Sequence, residues 1–289
     1  MSDMKKIYKG LIALAAVFLL TIFGGARLLE VLITYPGSPY YVDFKDPDPL
    51  YETEAEIHTL ENGNFVIGLN ERNIEYHSLE ELPPELIDAF IAIEDNRFYR
   101  HRGYDIKGIA RAFWVNLTHR EVRQGGSTIT QQLARNLFLG HDQTLTRKIL
   151  EFSLAVQIED RFTKDEIMEM YLNQVYFGNG NWGVEQAAQD YFDKPATELD
   201  LTESSMIAGL VQAPSYYAPV TSWEPAANRQ KIVLKRMVEL ELITEREARE
   251  ALFNEEIIIN FPRDILNLAL EKLNVDKCSE HQRPNYYSV

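Results

Sequence analysis

Uncharged residues run without a break from Gly10 to Ala26, and apolar ones continue at Leu28, Leu29, Val31, Leu32 and Ile33 with only Arg27 and Glu30 as charges among them. About 20 such residues carry a helix across a bilayer core, so the pattern predicts a membrane-spanning anchor. Lys5, Lys6 and Lys9 precede it. The positive-inside rule then leaves the amino terminus in the cytoplasm and the bulk of the chain outside. Gly24 and Ala26 offer the small-residue spacing of a cleavable leader. Because the apolar run continues past them, an uncleaved anchor over residues 1–35 is the expectation.

Beyond it, Tyr35, Pro36, Gly37, Ser38, Pro39, Pro47 and Pro49 read as a stiff, irregular stalk. Glu56–Leu60 and Phe65–Leu69, separated by Glu61, Asn62, Gly63 and Asn64, predict a hairpin within that stalk, 36–82. After Pro83 and Pro84 the pattern becomes helical. Leu86, Phe90 and Ile93 share one face of a helix that begins at the second proline and ends near Glu94. Thr128 with Gln131, Thr163 with Glu166 and Thr244 with Glu247 each place a hydroxyl three residues before a Glu or Gln, the capping-box pattern of helix starts. Helices are expected near 129–138, 145–160, 164–176, 183–192, 202–211, 226–241 and 245–252. No alternating strand and helix pattern follows residue 83, so the fold class is mainly α.

The 289 residues carry a net charge of -15 and are 45% hydrophobic, which excludes a polytopic membrane protein and a disordered chain. A lone Cys278 closes no internal disulfide and supplies no zinc cluster. Charge is unevenly spread: residues 94–164 hold 12 basic and 8 acidic side chains, whereas 36–93 hold 2 and 13. The acidic total argues against nucleic-acid binding, and the basic stretch is read either as the place where an anion is handled or as a solvated charged face.

Three places could carry chemistry. Glu94 ends an apolar helix and is followed by Asp95, Arg97, Phe98, His101 and Gly103. A carboxylate held against such neighbours loses hydration, which raises its pKa and suits a general base or acid; pairing with Arg97 or Arg100 is the plainer reading. Gln124–Gln132 is a glycine-rich turn feeding a helix start, where free N–H groups favour an anion, although capping alone also explains it. Glu151 has Arg147 and Lys148 at i−4 and i−3, on its own helix face, which keeps it ionised; an ordinary surface salt bridge is the alternative. Phe113, Trp114 and Leu117 read by spacing as core, with contact to lipid as the rival. A Ser-x-x-Lys pattern occurs only at Ser2–Lys5, with no Lys-Thr-Gly beside it, so acyl transfer of the penicillin-reactive kind is not expected.

In order along the chain, Glu94–Phe98 with His101 and Gly103, Gly125–Gln132, Arg147–Glu151, Tyr171–Asn173 with Tyr176–Gly178, and Ala208–Ser215 resemble the blocks of the peptidoglycan glycosyltransferases, family 51. These form the glycan-polymerising domain of class A penicillin-binding proteins and monofunctional transglycosylases. The resemblance implies a lysozyme-like glycosyltransferase domain over 83–221 with a membrane-contacting jaw, and it places Phe113 and Trp114 in that jaw. It implies polymerisation of lipid II: Glu94 deprotonates the acceptor 4-hydroxyl, which attacks the donor's anomeric carbon with inversion and expels undecaprenyl diphosphate. Glu151 matches the second glutamate, which stabilises the donor or its leaving group. Asp95, Phe98, His101, Ser127, Thr128, Gln131, Gln132, Arg135, Arg147, Lys148, Lys164 and Asn173 are the expected substrate-binding residues. Arg135 stands where many members have lysine, which keeps the charge and changes its geometry.

No cofactor is required by this reading, and a divalent cation, Mg or Mn, at Glu151 stays open. The implied partners are lipid II, a lipid-linked glycan chain, the bacterial cytoplasmic membrane and other cell-wall synthesis proteins, with the catalytic domain on the outer, periplasmic face. Residues 222–289 resemble the linker into a transpeptidase domain, and none follows in this sequence. A fragment, a truncated product and a monofunctional enzyme are all compatible with that, and no transpeptidase activity is expected. A lysozyme-like wall hydrolase or lytic transglycosylase, which also uses a glutamate, and an idle glycan-binding membrane scaffold are the competing readings.

Overall fold

The computed structural model describes residues 38, 55–59, 65–69, 75–119, 125–139, 145–221 and 223–252. The predicted anchor, most of the stalk and the end of the chain lie outside these residues. Among the described residues no helix is long and apolar enough to cross a membrane. The structure is mainly helical, with two small two-stranded sheets. The chain divides into two compact units, one of residues 1–71 and 97–170, the other of 72–96 and 171–289.

The first unit contains the hairpin β1 (Ala55–Thr59) and β2 (Phe65–Leu69), antiparallel with Ile57 opposite Ile67. Helix α1 (Pro84–Glu94) belongs to the other unit, and the helices of this one are α2 (Ile106–His119), α3 (Ile129–Phe138) and α4 (Leu145–Glu159). Helix α3 starts as its sequence predicts: Thr128 Oγ1 accepts from Gln131 N–H, and the Gln131 side chain accepts from Thr128 N–H, each at 3.1 Å. It packs on α4, and Ile129, Leu133 and Leu137 of α3 and Leu154 and Ile158 of α4 are all buried. Gly103 sits at φ 72°, and a Cβ there would lie 2.9 Å from the backbone of Ala155. Only glycine permits that approach, and it lets Thr128 Oγ1 donate to Gly103 O at 2.7 Å. Helix α2 was not among the expected helices. Asp105 starts it, its carboxylate accepting from Lys107 N–H at 3.1 Å while its carbonyl accepts from Ile109 N–H at 2.9 Å.

The second unit is built round α7 (Leu201–Leu210), buried from Thr202 to Leu210, with Glu203 of its first turn paired to Lys194 Nζ at 2.6 Å and the rest of the buried run apolar or small. Helices α1 and α9 (Trp223–Glu239) pack on it, and α6 (Val184–Phe192) and α8 (Pro214–Tyr217) complete its surroundings. Phe90 of α1 stands edge-on to Tyr171 and Phe177 at 5.9 and 6.0 Å, so α1 is locked by aromatic as well as aliphatic packing. Helix α5 (Lys164–Gln174) begins in the first unit and ends in the second, two residues short of the expected stop. There the chain turns into β3 (Tyr176–Gly178) and β4 (Asn181–Trp182), a hairpin whose turn uses positive φ at Gly178, Asn179 and Gly180. Helix α9 starts at Trp223, earlier than expected, because Pro225 sits in the first turn, where no N–H is missed. Helix α10 (Glu245–Glu250) carries the Thr244 and Glu247 capping box as its sequence predicts.

Candidate active site

In the second unit, Glu94 is the last residue of α1 and is half-buried. Asp95 follows as its C-cap, 7% exposed, with its N–H donating to Ile91 O at 3.3 Å. Sequence spacing offered Glu94 the nearby Arg97 and Arg100 as partners; within its own unit the fold brings Arg229 into its electrostatic reach. This α9 side chain donates from Nε to Gly209 O at 3.3 Å and lies over the Tyr217 ring at 6.0 Å. Burial lowers the pKa of its guanidinium, and the negative charge of Glu94 pulls against that effect. Arg229 and Glu94 are therefore electrostatic neighbours, and no local pattern could have paired them.

Asn173 is also in this unit, but it is 1% exposed and its amide is bonded to backbone: Oδ1 accepts from His77 N–H at 2.9 Å and Nδ2 donates to His77 O at 2.8 Å. His77 in turn lies 2.9 Å from Glu185 Oε2 through Nε2. Burial pushes Glu185 up, but hydrogen bonds from Ala196 N–H, Gln189 and His77 together hold it below the ordinary carboxylate value.

In the first unit, four expected residues come together. Glu151 is 1% exposed, far from the ordinary surface salt bridge that spacing alone permits. Lys148 Nζ donates to Glu151 Oε2 at 2.6 Å and to Ser127 Oγ at 2.9 Å. Arg147 Nε stands 3.5 Å from Glu151 Oε1. The result is a cluster with a carboxyl group at its base, a half-exposed lysine amine at its mouth and a hydroxyl beside it. Thr128 and Gln131, 2% and 3% exposed, spend their polar groups on the α3 cap and on Gly103. Gln132 is buried on the same helix and Arg135 is half-buried one turn on.

A second group in this unit gathers Phe98, His101 and Lys164. Phe98 is wholly buried, edge-on to His101 at 6.3 Å, with Lys164 Nζ 4.2 Å from its ring centroid. Lys164 Nζ also donates to Glu159 Oε1 at 2.7 Å, and Thr130 Oγ1 donates to the same oxygen at 2.5 Å. Glu159 and Thr130 were not expected as site residues; only their position one helix face from named residues could have suggested them. Among the described residues no three His, Cys, Asp or Glu side chains gather as a metal site.

Comparison with known proteins gives a consistent result. The family model described as Transglycosylase matches residues 62–238. Penicillin-binding protein 1A of Neisseria meningitidis is 40% identical over 248 residues, covering 83% of this chain and 30% of that protein. The protein of the same name from Aquifex aeolicus is 42% identical over 253 residues, covering 86% and 33%. That of Escherichia coli strain K12 is 41% identical over 227 residues, covering 78% and 26%. The chain thus spans about a third or less of the length of these relatives. A crystal structure of Penicillin-binding protein 1A from Haemophilus influenzae gives a loose likeness, TM-score 0.37 and 23% identity over 70% of this chain and 20% of that one. With more than half its residues matched by the family model and about two fifths identical to several relatives over most of its length, the chain belongs to the transglycosylase family, the peptidoglycan glycosyltransferases of family 51.

Proposed function

We propose that this protein polymerises lipid II into glycan strands from the outer face of the bacterial cytoplasmic membrane. The Glu94 carboxylate takes the proton of the acceptor 4-hydroxyl as that oxygen bonds to the donor's anomeric carbon. The bond from that carbon to the diphosphate oxygen breaks on the opposite face, so the configuration inverts and undecaprenyl diphosphate leaves. Negative charge builds on the leaving diphosphate, and fixed cations with a hydroxyl stabilise it best when they are organised in advance. The observation that carries this reading is the buried Glu151 gripping Lys148, whose ammonium also holds Ser127. Glu151 acts by holding Lys148 and Arg147 in place. Its oxygens face two cations, a surround that does not fit a divalent metal.

Membrane attachment is part of the proposal. The predicted anchor supplies it, and α2 presents Trp114 at 66% exposure and Ile109 at 44%, which suits a jaw dipping into lipid in a lysozyme-like domain. The test is incubation of the detergent-solubilised protein with labelled lipid II beside Glu94→Gln. Polymer from the parent and none from the variant is the expected result. Soluble fragments released from finished wall, with no polymer, would replace the reading with a hydrolytic one.

A further inference from the structure

A cavity of about 650 Å³ opens in the first unit between residues 97–107 and the turn from α4 into α5. Five cations line it against two carboxylates, Asp105 and Glu159. Both carboxylates are engaged: Asp105 lies 3.2 Å from Arg97 Nε, and Glu159 binds Lys164 at 2.7 Å. That leaves Arg100, Arg102 and Lys107, all exposed, whose side chains make no hydrogen bond or ion pair with any described residue. Three like charges held within eight residues repel one another unless an anion joins them.

We propose that this cavity binds a phosphate-bearing group. A carboxylate would answer one of the three charges, whereas a phosphate dianion or diphosphate answers two or more, and arginine forks suit its paired oxygens. The wall is fixed in advance: Tyr99 donates to Asp165 at 2.9 Å, and Tyr104 lies against Phe152 with centroids 4.6 Å apart. The size falls within the range of small-ligand sites. The cavity is also distinct from the Glu151 group, since Glu159 lies eight residues further along α4, about 12 Å along the helix axis.

The test uses the full chain in detergent, all samples carrying Lys148→Met so that phosphate held at the Glu151 group does not mask the result. Equilibrium dialysis measures inorganic diphosphate and, separately, water-soluble dihexanoyl phosphatidylglycerol. The cavity variant is R100A/R102A/K107A; the charge-matched comparison is K231A/K235A/R246A, exposed on α9 and α10. The cavity variant should lose affinity about tenfold for at least one probe while the comparison stays near the parent. Loss for diphosphate alone identifies a free phosphate ligand, and loss for the phospholipid identifies a headgroup. No binding of either probe by the parent, equal binding by the cavity variant, or equal loss in the comparison variant would overturn the proposal. Because binding and not polymerisation is read, failure here leaves the proposed reaction untouched.

Discussion

Lys148 Nζ sits 2.6 Å from Glu151 Oε2 although one side chain is half exposed and the other is 1% exposed. The pair thus reaches from interior to surface. Replacing Lys148 by Met leaves Glu151 buried with only the longer Arg147 contact. The cost to stability should fall below the about 3–5 kcal/mol of breaking a fully buried pair, because water reaches the lysine end. Polymerisation should fall by about 10² or more in kcat, the scale of removing one preorganised charge-stabilising donor. Urea unfolding and single-turnover rates on labelled lipid II check both, and Lys148→Arg should recover part of the rate. An unchanged rate would remove Lys148 from leaving-group stabilisation.

Arg229 gives a second prediction, through its charge on Glu94. A nearby cation favours the carboxylate form, so removing it raises the pKa of Glu94. The acid limb of the kcat/KM profile should then move to higher pH in Arg229→Gln. Arg229→Lys keeps the charge and should keep the limb in place. A profile that does not move in the Gln variant would mean that Arg229 acts only through its bond to Gly209.

Gly103→Ala tests the backbone approach of the motif to α4. The substitution places a methyl 2.9 Å from Ala155 backbone at φ 72°, so both strain and overpacking act. A loss of about 2–4 kcal/mol is expected. Chemical unfolding of the variant measures it, and a loss under about 0.5 kcal/mol would show that α4 moves aside easily.

Asn173→Ala separates a structural role from a substrate-binding one. The change leaves His77 N–H and C=O without their partner, which should cost about 2–3 kcal/mol. The KM for lipid II of the folded protein should stay within twofold of the parent. A large rise in KM with unchanged Tm would return Asn173 to the substrate.

Most helices were legible because their starts are encoded locally. A hydroxyl three residues before Glu or Gln closes the same ring at Thr128, Thr163 and Thr244 whatever lies around it. Helix α2 escaped because Asp105 has Gly108, not Glu or Gln, three residues later. Hairpin β3–β4 escaped because strands of three and two residues have no period to read. At the site, spacing placed Lys148 and Arg147 beside Glu151, since i−3 and i−4 neighbours share a helix face in any surroundings. It could not show that Glu151 is buried, that Ser127 meets Lys148, or that Arg229 neighbours Glu94. Those facts depend on which helices pack together, and depth and long-range pairing are properties of the packed core.

Glu185 provides the last prediction, with a sign fixed by its hydrogen bonds. Its folded pKa lies below the ordinary 4.5, so it is ionised in the folded state at pH values where the unfolded chain is taking up a proton. The stability it contributes is present above the unfolded value and is lost as pH falls from there through the folded value. Protonation removes acceptor capacity that Ala196 N–H, Gln189 and His77 all use, which loosens the hold of residues 75–82 on α6. Unfolding free energy measured by urea from pH 6 to pH 3 should therefore drop across the low-pH end for the parent. Glu185→Gln should be less stable at pH 6 and show a shallower fall, because it has no proton to gain. Parallel curves for the two proteins would mean that the ionised Glu185 adds nothing to acid stability.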